Sequence, residues 1–230
     1  MSAAVARLLS GRFTVLTIVL MLLSIGVTTI RHGAARDVVV GLAFSVLLLF
    51  AVLSVGRRLR IGTVAFAIPT LVSHWLLRHG ELPTLRYVDF ALTSAFLAFL
   101  TLVIMVAVFR DRSVTADTIV GAVCAYLLIG MTWGTVYGLI AFISPDSLFV
   151  SAALARAGGW GEPISTFTPL LLYYSFTTLA TLGYGDVTPL SAGARALSVL
   201  EGLTGQLYLA VLVARLVGIH AAAPPGGEGR

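Results

Sequence analysis

The 230-residue sequence contains no lysine, no asparagine, one cysteine and one glutamine. Charge of either sign is scarce. Fifteen arginines and 10 acidic residues make up 11% of the chain, where an ordinary soluble domain carries roughly 25% charged residues. With 58% of residues hydrophobic, so little polar surface could not enclose the interior that the rest would seek in water. The lone Cys124 lies inside an apolar run, which excludes a disulfide framework and a thiolate metal site. A net charge of +5 would suggest nucleic acid in a soluble protein. Here the arginines sit in short clusters between apolar runs, as residues that mark topology do, and no nucleic-acid partner is expected. Neither His-Glu-x-x-His nor Gly-x-Ser-x-Gly occurs, and no paired acids fall in adjacent apolar runs. The chain therefore reads as no enzyme and as needing no cofactor. What remains is an integral membrane protein.

Long apolar runs are what the chain has in abundance. A helix rises about 1.5 Å per residue, so crossing a hydrocarbon core of about 30 Å takes about 20 residues. Six runs meet or approach that length: Phe13–Ile30, Val38–Val55, Ile61–Leu77, Tyr87–Phe109, Thr118–Ile143 and Ala196–Gly218. Pro69 is expected to kink the third, which neighbouring helices can tolerate. The first run is longer than the usual signal-peptide core and reads as a retained span. With the N-terminus inside, nine arginines fall on the cytoplasmic side and six outside, a modest positive-inside bias.

Between the fifth and sixth runs the pattern changes. Ser144–Thr168 is mixed and contains Gly and Pro, and then Thr168-Pro169 opens a short apolar segment to Ala180. A hydroxyl cap followed by proline at the first helical position is a good helix start. The segment is about 12 residues, or about 18 Å, too short to span, so it must re-enter the face it left. Non-helical backbone at that depth is tolerated only when buried in protein or lining a water-filled path. It continues as Thr181-Leu182-Gly183-Tyr184-Gly185-Asp186.

This string resembles the selectivity filter of potassium channels, and the helix–filter–helix unit around it, roughly Asp117 to Gly218, resembles their pore domain. The four preceding spans resemble more loosely the single-pore six-span type, here bacterial and without a charged voltage sensor. To pass a dehydrated cation, a pore needs rings of carbonyl oxygens in place of the hydration shell. A regular strand points alternate groups to opposite faces, whereas alternate glycines reach left-handed angles without a Cβ penalty.

The resemblance implies an all-α integral membrane protein with six transmembrane helices, plus a re-entrant pore helix and filter loop between the fifth and sixth. Residues 1–116 would form a four-span membrane domain, 117–219 the pore domain and 220–230 a short flexible cytoplasmic tail. Carbonyls of Thr181, Leu182, Gly183 and Tyr184 would line the path, with the Thr181 hydroxyl a further ligand and potassium the permeant ion. One filter per chain implies a homotetramer among membrane lipids. The filter would lie at the outer face of the cell membrane, leaving both termini cytoplasmic. The expected function is passive potassium conduction; the alternatives are a potassium-uptake subunit, whose relatives carry four degenerate filters per chain, or a weakly selective cation channel.

Gly185, Asp186, Tyr173, Tyr174, Thr177 and Thr178 are the expected filter supports. By the family's spacing Tyr173 should hydrogen-bond Asp186, with Tyr174 near Tyr184; the other reading is that both tyrosines fill a packed interface. Thr177 stands where some channels place a glutamate. In the last span Gly205 sits at the family's hinge position, with Gly202 a second candidate and close helix packing the alternative. Gln206 would face the central cavity. Glu201 lies about 140° around the helix from Gln206 and should face the pore helix or the fifth span, as a packing residue or as a gating, proton-sensing one. The fourth run has no basic residue between Arg86 and Arg110, so strong voltage gating is not expected. Asp89 is expected to pair with a neighbouring arginine, and His74 to be buried without a sensing role.

Overall fold

The computed structural model describes residues 13–29, 34–54, 57–77, 83–111, 115–157 and 168–222. In an apolar medium each segment must satisfy its own backbone, and the apolar runs accordingly form helices. They are α1 (Thr14–Thr29), α2 (Ala34–Ser54), α3 (Arg57–Leu77), α4 (Pro83–Arg110) and α5 (Ala116–Ile143). A single 3-10 turn at Pro145–Ser147, strand β1 (Leu148–Val150) and the short α6 (Ala152–Ala157) follow. The chain ends with α7 (Thr168–Leu179), β2 (Val187–Pro189) and α8 (Ala192–Ala222). Among the described residues three stretches are long and apolar enough to cross a membrane: Tyr87–Arg110, Ala116–Ile143 and Ala192–Ile219. Thr14–Ile25 and Gly41–Leu53 are shorter apolar helices. Helix α3 continues through Pro69.

Helix α5 is the element on which the others assemble, packing against α1, α4, α7 and α8. Gly130, Gly134 and Gly138 recur every fourth residue and so form one bare strip along it. Phe176 of α7 lies over Gly130, Leu172 of α7 over Gly134 and Phe90 of α4 over Gly138. Lipid tails are as apolar as leucine, so helices in a membrane gain little from hiding apolar surface and associate through such close approaches. A larger core runs through α1, α2, α4 and α5 around Leu16, Leu20, Leu47, Phe96, Leu100 and Leu128. A smaller one gathers Tyr137, Leu148, Leu170, Leu171, Tyr174, Val187 and Ala194 around the start of α7.

The protein is predominantly helical, as the all-α expectation has it, and beside the helices β1 and β2 pair antiparallel, with Leu148 opposite Pro189 and Val150 opposite Val187. Three-residue strands carry too little pattern to show in the sequence. The expected arginine partner of Asp89 falls outside the described side chains, which do not include those of Arg78 and Arg86; Asp89 accepts from Ser73 Oγ at 2.9 Å and lies 3.8 Å from His74 Nδ1. Both partners sit on α3, because α3 and α4 pack side by side. The hydroxyl cap expected at Thr168 and the stretch 158–167 fall outside the described side chains, although α7 does begin at Thr168.

Candidate functional site

The end of α7 builds the site. Thr181 N–H donates to the Thr178 carbonyl at 3.0 Å and Leu182 N–H to the Thr177 carbonyl at 2.8 Å. These two bonds are those of a Schellman helix stop, a motif whose turning residue is ordinarily glycine in the left-handed region. Here that residue is Thr181, at φ 58°. A β-branched side chain at such an angle costs about 1–2 kcal/mol, and strain of this kind clusters at functional sites.

The left-handed angles then recur at alternate positions, Gly183 at φ 53° and Gly185 at φ 78°. Within the protomer no atom stands within 4 Å of where a Cβ would lie on either glycine, so conformation rather than crowding by its own chain favours glycine there. Alternating left- and right-handed residues gather successive N–H groups on one side. Gly183 N–H also turns back to the Thr177 carbonyl, at 3.3 Å. In a trans peptide the C=O opposes the N–H, so the Thr181 and Leu182 carbonyls point away from α7. Thr181 through Gly185 are exposed in the single protomer and Asp186 is half-buried.

The outer end of this strip is clamped. Tyr173 Oη donates to Asp186 Oδ2 at 2.6 Å, and Val187 N–H donates to Oδ1 at 3.0 Å. Ser151 N–H donates to the Asp186 carbonyl at 2.8 Å, tying the strip to β1. Burial and the Asp186 carboxylate push the Tyr173 phenol up to about 12, which keeps it the donor. The Tyr173 ring lies nearly parallel to that of Tyr184, centroids 6.4 Å apart.

Tyr174 is not the neighbour of Tyr184 within the chain. It meets the Tyr137 ring edge-on at 4.8 Å and hydrogen-bonds Ser198 at 2.6 Å. Adjacent helical residues lie about 100° apart, so Tyr173 and Tyr174 cannot brace one partner together. Thr177 Oγ1 donates to the Tyr174 carbonyl at 3.0 Å, and the Thr178 carbonyl faces Gly202 across the interface with α8.

On α8, Glu201 is fully buried. Its Oε2 accepts from Tyr137 Oη of α5 at 2.7 Å, and its Oε1 lies 2.5 Å from Ser175 Oγ of α7. It thus touches both elements that its helical phase points to. A Cβ on Gly205 would run into the Leu179 carbonyl, and α8 is helical through this position. Tyr208 Oη donates to the Ala122 carbonyl at 2.6 Å. Gln206 is exposed on the protomer surface.

Ser175, Tyr137 and Ser198 are polar members of this region that motif reading passes over. A signal for two of them is present, since a carboxyl inside a span demands hydroxyl donors on its neighbours. The left-handed angle at Thr181 has no sequence signal, since threonine is a poor marker for it.

Residues 125–220, from within α5 to near the end of α8, match the family model described as "Ion channel". The match spans less than half of the chain. Protein LctB of Bacillus caldotenax is 48% identical over 46 residues, which is 20% of this chain and 34% of that protein. The chain thus spans about a third of the length of the curated relative it matches. No solved structure matches. Together the family match and the apolar helices support a helical membrane protein of an ion-channel family.

Proposed function

We propose that the chain is a potassium-selective channel, four copies of which surround one conduction path. The observation that carries this reading is the alternation of left-handed angles at Thr181, Gly183 and Gly185, set directly on the end of a 12-residue helix. It turns main-chain oxygens to one side, as coordination of a bare cation requires. Carbonyls of Thr181, Leu182, Gly183 and Tyr184 would replace the hydration shell, and the Thr181 hydroxyl would justify retaining a strained threonine where glycine would be easier. The partly negative C-terminus of α7 would favour a cation below the filter. Gly185, Asp186, Tyr173, Tyr174, Thr177 and Thr178 would hold the filter from behind, and Gln206 would face the cavity.

A single strip has no opposite wall, so closed symmetry about an axis is part of the proposal. The remaining helices would complete six spans in a bacterial cell membrane, both termini cytoplasmic, with lipid around the four-span part. The absence of a basic residue between Arg86 and Arg110 supports conduction without a steep voltage dependence.

The test is the reversal potential of the purified protein in planar bilayers under opposed potassium and sodium gradients. It should lie near the potassium equilibrium potential over a wide voltage range. A value showing no preference between the two ions would overturn potassium selectivity and leave the weakly selective cation channel. Flux saturating at carrier-like turnover would favour an uptake subunit.

A further inference from the structure

We infer that Glu201 is held as a neutral carboxylic acid whose proton latches α8 to α7 behind the filter strip. The inference rests on the channel reading for its consequence, but its chemistry stands on a count of hydrogens. Ser175 Oγ lies 2.6 Å from the Gly130 carbonyl and 2.5 Å from Glu201 Oε1. A carbonyl has no hydrogen to offer, so the one serine hydrogen belongs to the contact with Gly130. The first is a short hydrogen-bond length and the second is shorter than a normal one, both too close for two acceptors that share one hydrogen or lack one. The second contact therefore needs a hydrogen from the carboxyl itself.

The surrounding bonds close the count. Ser198 donates to the Ala194 carbonyl at 2.8 Å, so the hydrogen between Tyr174 and Ser198 comes from the phenol. Tyr137 gives its hydrogen to Glu201 Oε2. The titratable groups facing Glu201 are the phenols of Tyr137 and Tyr126 on α5 and of Tyr174 on α7. No cation is paired with Glu201 among the described residues. A fully buried, unpaired carboxylate would be very costly, whereas a carboxylic acid with two hydrogen-bond partners is satisfied.

Glu201 is thus a positioning residue. Ser175 sits two residues before Thr177, whose carbonyl holds the N–H groups of Leu182 and Gly183. Loss of the proton sets Glu201 Oε1 against the serine lone pairs. Ser175 must then either release the Gly130 carbonyl or swing from α8, and in both cases the last turns of α7 shift under the strip.

The experiment uses the full chain reconstituted in lipid, with potassium as the only permeant cation. Wild-type current should fall by about tenfold from neutral to alkaline pH on loss of one such bond. Glu201→Gln, neutral at every pH and still able to donate to Ser175 and accept from Tyr137, should keep the neutral-pH current and lose the pH dependence. Identical pH profiles in the two proteins would overturn the latch. An infrared readout is independent of conduction: the wild type at neutral pH should show a protonated-carboxyl C=O band that disappears at alkaline pH. Its absence at neutral pH overturns the inference even if Glu201→Gln fails to fold. A preparation that shows the band but passes no potassium would retain the neutral acid and sink the channel reading instead.

Discussion

Helices α5 and α8 are both long spans of similar apolarity, and they are used in opposite ways. Of the most apolar stretch of α5, 56% is buried within the protomer; of that of α8, 11% is. The glycine strip of α5 lets Leu172, Phe176 and Phe90 seat against its backbone. On α8 only a narrow line, Ala194, Glu201, Gly205 and Tyr208, is buried, while Val199, Leu203, Leu207, Val211 and Val213 face outward. Hydropathy thus says that a helix belongs in the membrane, but not what it touches there. Small residues and buried hydrogen bonds decide that. In the proposed tetramer the outward face of α8 meets lipid and neighbouring copies.

The contrast can be broken most severely on the α5 side. Gly134→Leu would drive a side chain into Leu172, whose Cδ2 stands 2.7 Å from the added Cβ and whose Cα stands 3.3 Å away. Overpacking of this kind costs about 1–3 kcal/mol or more, and thermal unfolding in detergent should show a large loss of stability or no folded protein. Next in size is Gly183→Ala, which leaves the helix packing untouched. At φ 53° an alanine carries a left-handed penalty of about 1–2 kcal/mol. Reversal potentials should register about tenfold or greater loss of ion preference while the melting curve barely moves.

A smaller effect is expected from Tyr173→Phe. It removes one of two bonds to the Asp186 carboxylate and leaves that from Val187 N–H. About 1 kcal/mol is at stake, to be read as faster loss of current during sustained conduction; unchanged kinetics would mean that the bonds from Val187 and Ser151 N–H suffice to clamp the strip. The least effect on the protomer should follow Leu203→Ala combined with Leu207→Ala on the outward face of α8. Surface changes of this sort usually stay within about 0.5 kcal/mol. If that face meets neighbouring copies, the native mass of the detergent-solubilised assembly should nevertheless fall; a retained mass would assign the face to lipid.

Much of the site is legible in the chain because its chemistry is local. Thr168-Pro169 marks the start of α7, and alternate glycines mark the left-handed positions that follow it. The resemblance to the potassium-channel filter anticipates the hydrogen bond from Tyr173 to Asp186, and the phase of about 140° between Glu201 and Gln206 anticipates that Glu201 faces α5 or α7. What stays illegible depends on which surfaces meet. Within the chain Tyr174 turns toward Ser198, Asp89 finds Ser73 beside His74, and Thr181 takes the left-handed place of a glycine.

By itself the sequence determined a membrane-embedded helical chain and the position of one short helix with its glycine-punctuated strip. Both follow from residue-scale physics: apolar runs cannot stay in water, and only some residues tolerate a positive φ. The tertiary structure alone decided that α5 is the hub, that most of the apolar surface of α8 stays exposed on the single protomer, and that Ser175 and Tyr137 close around Glu201. A hydrogen bond between helices depends on the rotation and depth of both, and no pattern within one segment records the other's.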